Sequence, residues 1–337
     1  MWRPVNLLYL AYFIKTTDYH RLIKSMRWVH AQHGKGYLAL AGDILGCSVK
    51  YTTSFKEYFM YRFFNHDRAT RGTYAGSGVM HRFTTQMNDR QRWDIFRSKA
   101  LFYQHFGQLM GRQCLYLQES TPEAFAFADW IAERPLVVAK PNYGARGRSV
   151  AFVDTTRVRP EEIFATLLRK GQDFIEEPIR QHEALQKLNP SCVNTIRVIT
   201  ICTETEVDVI GTVMRLGVGG SQVDNMFTGG IAAPVDPATG QVYHAALSNA
   251  PWSPHYEVHP DTQEPILGFQ VPLWGSVLEL ARCAARIVPG VRTVGWDIAV
   301  TSAGAILVEG NDNWNVALWQ ISTDEGQLEV LRRYADV

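Results

Sequence analysis

The pattern of apolar positions divides the chain near residue 95. Apolar residues are nearly continuous over 7–14, then recur at helical spacing through Leu22, Met26 and Val29, and again through Phe55, Tyr58, Phe59 and Phe63. This predicts a mostly helical region over residues 1–95, with loops at 34–36 and 71–78. The dense aromatics of 51–64 are read as packing between helices. The run 7–14 is read as a buried N-terminal helix, with a membrane-surface or partner helix as the alternative. It falls far short of the ~20 apolar residues that a spanning helix needs.

Beyond residue 95 short apolar strands alternate with helices. A helix is predicted over 97–110, a strand over 114–117 and a helix over 121–132. Thr121 is placed as the N-cap of the last of these and Pro122 at its first helical position. A strand over 136–140, a Gly-bearing turn, a strand over 149–153, a helix over 160–169 and a strand over 174–177 follow. The second half is rich in β-branched strands bounded by turn residues, at 195–202, 207–215, 230–235, 294–300 and 305–309. Between them, 273–288 reads as a helix with Val277, Leu280, Ala281, Ala284 and Ile287 on one face, stopped by Pro289-Gly290. The fold class expected is α+β.

Composition narrows the function classes. A chain of 337 residues suits two or three lobes, and 46% hydrophobic with 20% charged residues is an ordinary globular balance. The net charge of +1 gives no global attraction to nucleic acid, so any anion site must be local. The five cysteines are odd in number, scattered and without a CxxC pair, which argues against a disulfide framework or a zinc cluster and favours a reducing, cytoplasmic compartment. No secretory signal is read at the start of the chain, and no integral membrane segment. His255 and His259 are flanked by Pro254 and Pro260, so they read as surface loop residues rather than a metal pair, and His30 and His33 are treated alike.

Two features carry candidate chemistry. The first is Lys140-Pro141-Asn142-Tyr143-Gly144-Ala145-Arg146-Gly147-Arg148-Ser149, a strand that delivers a lysine into a glycine-bearing turn. Such a turn lets backbone N–H groups cradle phosphate oxygens while the lysine adds a point charge. It lacks the Gly-Lys-Ser/Thr and following helix of a P-loop, and on its own a turn of this kind is more often a plain hairpin. The second is a predicted hairpin with Asp297 on one strand and Glu309-Gly310-Asn311 ending the other. Counted out from the turn at 302–304, Asp297 and Glu309 fall near the same level and can share a face. Unpaired carboxylates in apolar strands are costly, and oxygen ligands of this type and number suit Mg²⁺; salt-bridged core acids are the alternative. Arg197 lies inside another apolar strand and Arg215 ends the next, with Asp224-Asn225 and Gly229-Gly230 in a polar loop beyond. Buried arginines need anionic partners, either structural acids or a phosphate.

The ordered set Ser98-Lys99, Lys140-Pro141 with its turn, Phe174-Ile175-Glu176-Glu177-Pro178-Ile179, Asn194-Thr195-Ile196-Arg197, Gly229-Gly230, Gly295-Trp296-Asp297 and Glu309-Gly310-Asn311 resembles the ATP-grasp superfamily. More narrowly, it resembles the sugar-transfer-associated ATP-grasp group, a relative of the glutamate-ligase-like enzymes. The resemblance covers about 95–325. It implies two α+β lobes enclosing ATP, an ATP-grasp domain over 96–330 with a small lid lobe at 135–180, and the helical region before it. By that resemblance Lys99 and Lys140 face the phosphates, and the turn through Gly144, Gly147, Arg148 and Ser149 closes over them. Glu176, Glu177 and Ile179 form the hinge that meets the adenine, with Glu183 at the ribose and Asn225 near the nucleotide. Arg197, Arg215 and Lys140 are the catalytic cations, and Asp297, Glu309 and Asn311 hold Mg²⁺, with Mn²⁺ as a substitute. The expected activity is an ATP-dependent carboxylate–amine ligase that works through an acyl phosphate on small-molecule substrates such as an amino acid or saccharide. A kinase on the same scaffold and a non-catalytic nucleotide binder are the alternatives. Two departures stand out: Glu176 occupies a hinge position where relatives often carry glutamine, and residues 1–95 lack a Gly-rich βαβ substrate domain.

Overall fold

The computed structural model describes residues 4–117, 121–144 and 150–337. Among them, nine strands form two antiparallel sheets. The smaller sheet joins β1 (Cys114–Tyr116), β2 (Leu136–Lys140), β3 (Ala151–Asp154) and β4 (Phe174–Glu176) in the order β1-β4-β2-β3. The larger joins β5 (Ile196–Cys202), β6 (Val207–Leu216), β7 (Ile231–Pro234), β8 (Thr293–Thr301) and β9 (Gly304–Asn311) in the order β7-β6-β5-β8-β9.

The smaller sheet has its own core. Val137, Ala139 and Ile175 from the strands meet Phe127 and Ile131 of the Thr121–Ile131 helix and Ile163, Phe164 and Leu167 of the Pro160–Arg169 helix. The latter helix begins as its sequence suggests, with Pro160 in its first turn followed by Glu161 and Glu162, which favour the positive end of the helix dipole.

The larger sheet is covered on both faces, because alternate residues of its central strands are apolar in both directions. Ile196, Val198, Met214, Trp296 and Ile298 pack with the helices Lys99–Met110 and Trp274–Ala285. Ile199, Ile201, Val213 and Ala232 pack on the opposite side with Phe55, Phe59, Phe83 and Met87 of the N-terminal helical region and with the Val316–Thr323 helix. Residues 1–95 thus share a core with the sheet. Asn88 fastens them to it: its amide donates to Thr293 O at 2.9 Å and Asp312 O at 2.8 Å, and its Oδ1 accepts from Thr293 N at 2.9 Å.

Four expectations need correction. His259, expected on a surface loop, is fully buried, with its Nε2 at 2.8 Å from Gly217 O. The helix expected over 97–110 is two, Trp93–Arg97 and Lys99–Met110, because the Ser98 hydroxyl caps the second by accepting from Leu101 N at 3.3 Å. The helix expected over 273–288 ends at Ala285, before Pro289-Gly290. The N-terminal helix forms, as Pro4–Thr16, yet it is not buried. Phe13 points inward at 3% exposure, whereas Leu7, Leu8, Tyr12 and Ile14 are 48%, 71%, 61% and 44% exposed. It packs on the Tyr37–Tyr51 helix along one side, and nothing among the described residues covers the other.

Candidate active site

Asp297 sits mid-strand in β8, and the register of its neighbours builds the site around it. On β5 its opposite residue is Arg197, and on β9 it is Glu309. Directly opposed residues of an antiparallel pair lie on the same face. Regular pairing outward from the hairpin turn would oppose Asp297 to Val308, because Ile298 pairs with Leu307. The ladder shifts at this point, leaving Val308 as the extra residue of a bulge, and the shift brings Glu309 level with Asp297. Asn311 opposes Gly295, two residues further on the same face. Arg215 joins them from β6, two residues past Val213, the partner of Arg197. One face of the large sheet therefore carries two arginines, two acids and an amide.

The side chains on this face are bonded to one another. Arg197 Nε donates to Asp297 Oδ1 at 2.5 Å and its Nη2 to Oδ2 at 3.0 Å, while Arg215 Nη1 donates to Oδ2 at 2.5 Å. Arg215 Nη2 donates to Asp224 Oδ1 at 2.9 Å. Asp224 Oδ2 in turn accepts from Thr195 N at 2.9 Å and Thr195 Oγ1 at 2.5 Å. Gly295 makes room for this array: a Cβ there would lie 3.0 Å from Arg197 Cδ and 2.8 Å from Trp314 Cβ.

Burial and charge act against each other here. Burial pushes the Asp297 carboxyl up, but the Arg197 and Arg215 guanidinium groups outweigh it and hold the carboxyl well below the usual range. For Arg215 burial disfavours the charge, and the Asp224 and Asp297 carboxylates more than reverse this. Glu309 moves the other way. Loss of water on its protein side raises its carboxyl, and the Asp297 charge opposite raises it further. The Glu309 side chain itself is exposed. Asn311 Nδ2 donates to Glu309 Oε1 at 3.2 Å and Gly295 O at 3.4 Å.

In the smaller sheet, Lys140 ends β2. Its Nζ donates to Glu176 Oε1 at 2.6 Å, and Arg112 grips Glu176 Oε2 through Nη2 at 3.0 Å and Nε at 3.1 Å. Burial raises the Glu176 carboxyl, but Arg112 and Lys140 bring it down to about 2. Arg112 Nη1 also donates to Leu307 O at 2.8 Å, so one guanidinium ties the hinge strand β4 of the small sheet to β9 of the large one. Lys99, the first residue of its helix, donates to Pro141 O at 2.7 Å and to Asn142 O and Gly144 O at 3.3 Å each. Its ammonium is held below the usual lysine range, first by burial and then by the Lys140 charge, while Glu309 and Glu176 pull it back up. Lys99 is thus influenced by charged residues of both sheets. Asn142 is the joint beside it: its Oδ1 accepts from Ser98 Oγ at 3.0 Å and Ala100 N at 2.9 Å.

Other expected ligand residues are placed as follows. Glu177 is committed to Arg134 Nε at 2.8 Å and Gln113 N at 2.9 Å. Ile179 is half-buried just past the hinge, and Glu183 is exposed at the start of the Glu183–Leu188 helix. The Asn225 side chain accepts from Phe227 N at 2.8 Å, capping the short turn after Asp224. Gly144 is exposed at the end of the described loop. Gly147, Arg148 and Ser149 lie outside the described residues. Sequence reasoning gave no role to Asp224, Arg112 or Asn142. Asp224 had a signal, an acid in a polar loop close behind a buried arginine; Arg112 had none, since its partner Glu176 is 64 residues away.

A family profile described as sugar-transfer associated ATP-grasp matches residues 79–335. The chain belongs to that family. Its two α+β lobes are the ATP-grasp fold, and the match also takes in the last of the N-terminal helices. Among solved structures, the ATP-grasp chain is similar to ATP-grasp ligase PsnB complexed with minimal precursor, at 14% identity over 76% of this chain and 68% of that one, with a TM-score of 0.43. It is also similar to the ADP complex of purK, N5-carboxyaminoimidazole ribonucleotide synthetase, at 12% identity over 73% of this chain and 53% of that one, TM-score 0.40. A third is D-alanine–D-alanine ligase from Bacillus anthracis, at 11% identity over 76% and 77%, TM-score 0.40. The ATP-grasp chain thus spans about half of the purK structure's length and about two thirds of the PsnB structure's. No curated protein matches its sequence.

Proposed function

We propose that this ATP-grasp protein is an ATP-dependent carboxylate–amine ligase that converts Mg-ATP to ADP and phosphate. The observation that carries the reading is the single sheet face holding Arg197, Arg215, Asp297, Glu309 and Asn311, with Glu309 acting on the nearby Lys99. Two arginines beside three oxygen-bearing side chains suit phosphoryl transfer, which needs charge neutralisation and positioning and no covalent protein nucleophile.

The residues fit a magnesium ion. The side chains that face outward here, Glu309 and Asn311, offer oxygen ligands of the kind that magnesium takes. Glu309 is an exposed carboxyl raised by the carboxylate opposite it, a like-charge pair that a divalent cation relieves. The Asn311 N–H groups are spent on Glu309 and Gly295, which leaves its amide oxygen as a ligand. Bound there, Mg²⁺ or Mn²⁺ supplies neutralisation of phosphate charge.

In the proposed reaction a substrate carboxylate oxygen attacks the γ-phosphorus of ATP and ADP departs. The amine nitrogen of the second substrate then attacks the acyl carbon, phosphate leaves, and the nitrogen gives up a proton. Lys99 and Lys140 hold the phosphates, and Arg197 and Arg215 face the transferred group, kept on the sheet by Asp297 and Asp224. Gly147, Arg148 and Ser149 are proposed to close over the phosphates, Glu176, Glu177, Ile179 and Glu183 to line the nucleoside end, and Asn225 to approach the nucleotide. An amino acid or a saccharide is the class of acceptor proposed. Incubation with ATP, Mg²⁺ and pooled amino acids and sugars is expected to give ADP, phosphate and an amide in equal amounts. Release of AMP would sink the reading, and a stable phosphorylated product without phosphate would replace it with a kinase.

A further inference from the structure

We propose that the N-terminal helices dock this protein on the surface of an anionic lipid bilayer. The Pro4–Thr16 helix presents Leu7, Leu8, Tyr12 and Ile14 outward on the side turned away from Phe13, and Lys15 is the one charge among them. The next helix, Tyr19–His33, carries Tyr19 and Ile23 outward at 50% and 47% exposure, interleaved with the exposed Lys24 and Arg27. The third, Tyr37–Tyr51, packs on the first and leaves Leu38 91% exposed. Apolar side chains of this size are seldom left open in number on adjacent elements of one protein surface.

Charge selects the occupant. Residues 1–50 hold seven Lys and Arg against two Asp and Glu, although the whole chain is only +1. Of those two acids, Asp43 is tied to Arg71 at 2.6 Å, and Asp18 caps the second helix by accepting from Arg21 N at 3.1 Å. Exposed leucine, isoleucine and tyrosine beside exposed lysine and arginine suit a headgroup region, the apolar side chains inserted and the cations on lipid phosphates. Two copies of such a face would oppose like charges, which disfavours self-association. No helix among the described residues is long and apolar enough to cross a membrane, so contact with the bilayer is along its surface.

The test is flotation of the full chain with vesicles of phosphatidylcholine alone and of phosphatidylcholine containing about one third phosphatidylglycerol. The protein is expected to float with the anionic vesicles and to be released by high salt. Lys15→Glu with Arg27→Glu should lower partitioning by about tenfold or more. Leu8→Ser with Tyr12→Ser should lower it comparably, with ATP-dependent thermal stabilisation kept. All four positions are exposed, so an unchanged circular dichroism spectrum is expected to show that the variants fold. Failure of the native chain to float, or equal flotation with both vesicle types, overturns the proposal. So does a dimer in light scattering that the Leu8→Ser, Tyr12→Ser variant abolishes.

Discussion

Asp297 and Glu309 stand directly opposite one another across β8 and β9, yet their carboxyl groups are driven in opposite directions. Asp297 is buried and gripped by two arginines; Glu309 is exposed and faces a charge of its own sign. The first acid is part of what keeps the sheet face together; the second is exposed and accepts from Asn311 Nδ2 at 3.2 Å.

That difference predicts opposite stability effects from two similar substitutions. Asp297→Asn leaves two buried guanidinium groups short of a counter-charge and should cost about 3–5 kcal/mol. Glu309→Gln removes a like-charge contact and should change stability by less than about 1 kcal/mol, or raise it. Both should lose the thermal stabilisation that Mg-ATP confers. Urea unfolding with and without Mg-ATP measures both effects; a Glu309→Gln protein that keeps its full Mg-ATP response would remove Glu309 from the proposed metal site.

Much of this face was legible in the sequence, because acids and arginines inside β-branched strands are conspicuous and a short hairpin turn fixes which residues are level. The bulge was not legible. A count from a turn at 302–304 already sets Asp297 level with Glu309, but the hairpin closes between Thr301 and Gly304, and from that closure only the register shift restores the pairing. Neither was the exposure of the N-terminal helix: periodicity marks apolar residues, and whether they are covered depends on what packs there. Nor could a linear reading find that Glu177 is spent on Arg134, 43 residues before it. Partners brought together by the antiparallel pairing of β1, β2 and β4 leave no local pattern.

Gly295 should be intolerant of even one methyl group. A Cβ would lie 2.8 Å from Trp314 Cβ, an atom next to the backbone that cannot yield, and would press on the Arg197 side chain where it crosses to Asp297. Gly295→Ala is therefore expected to cost about 1–3 kcal/mol by overpacking. It should also lower ATP turnover more than nucleotide affinity, since the displaced group is Arg197. Turnover reduced no further than the loss of folded protein explains would show that Arg197 has no catalytic part.

Glu176 sets a pH dependence of stability. Its carboxyl is at about 2 in the folded protein, because Arg112 and Lys140 outweigh burial, and in the ordinary carboxylate range when unfolded. A depressed folded value contributes stability that is fully present above the unfolded value and is lost as pH falls toward 2. The contribution is about 3 kcal/mol at neutral pH. Glu176→Gln should therefore be less stable at pH 7 and should lose less stability than the native chain between about pH 4.5 and pH 2. Denaturant midpoints across that range test it, and parallel curves for the two proteins would rule it out.

Arg215 is the residue where a conservative exchange should be least conservative. Its guanidinium spans two separate carboxylates, Nη1 to Asp297 at 2.5 Å and Nη2 to Asp224 at 2.9 Å. Through Asp224 it also fixes Thr195, whose N–H and hydroxyl both donate to that carboxylate. A lysine carries the same charge but presents it at one point, so it can satisfy Asp297 or Asp224 and leaves the other buried without its partner. Arg215→Lys is expected to lose about 2–4 kcal/mol of stability, close to the loss for a neutral residue. Asp224→Asn made together with Arg215→Lys should recover part of that, because the single ammonium is then left with Asp297 alone. A double-mutant cycle in urea measures the coupling. Additive losses in the two variants would mean that Arg215 does not bridge the two acids in solution.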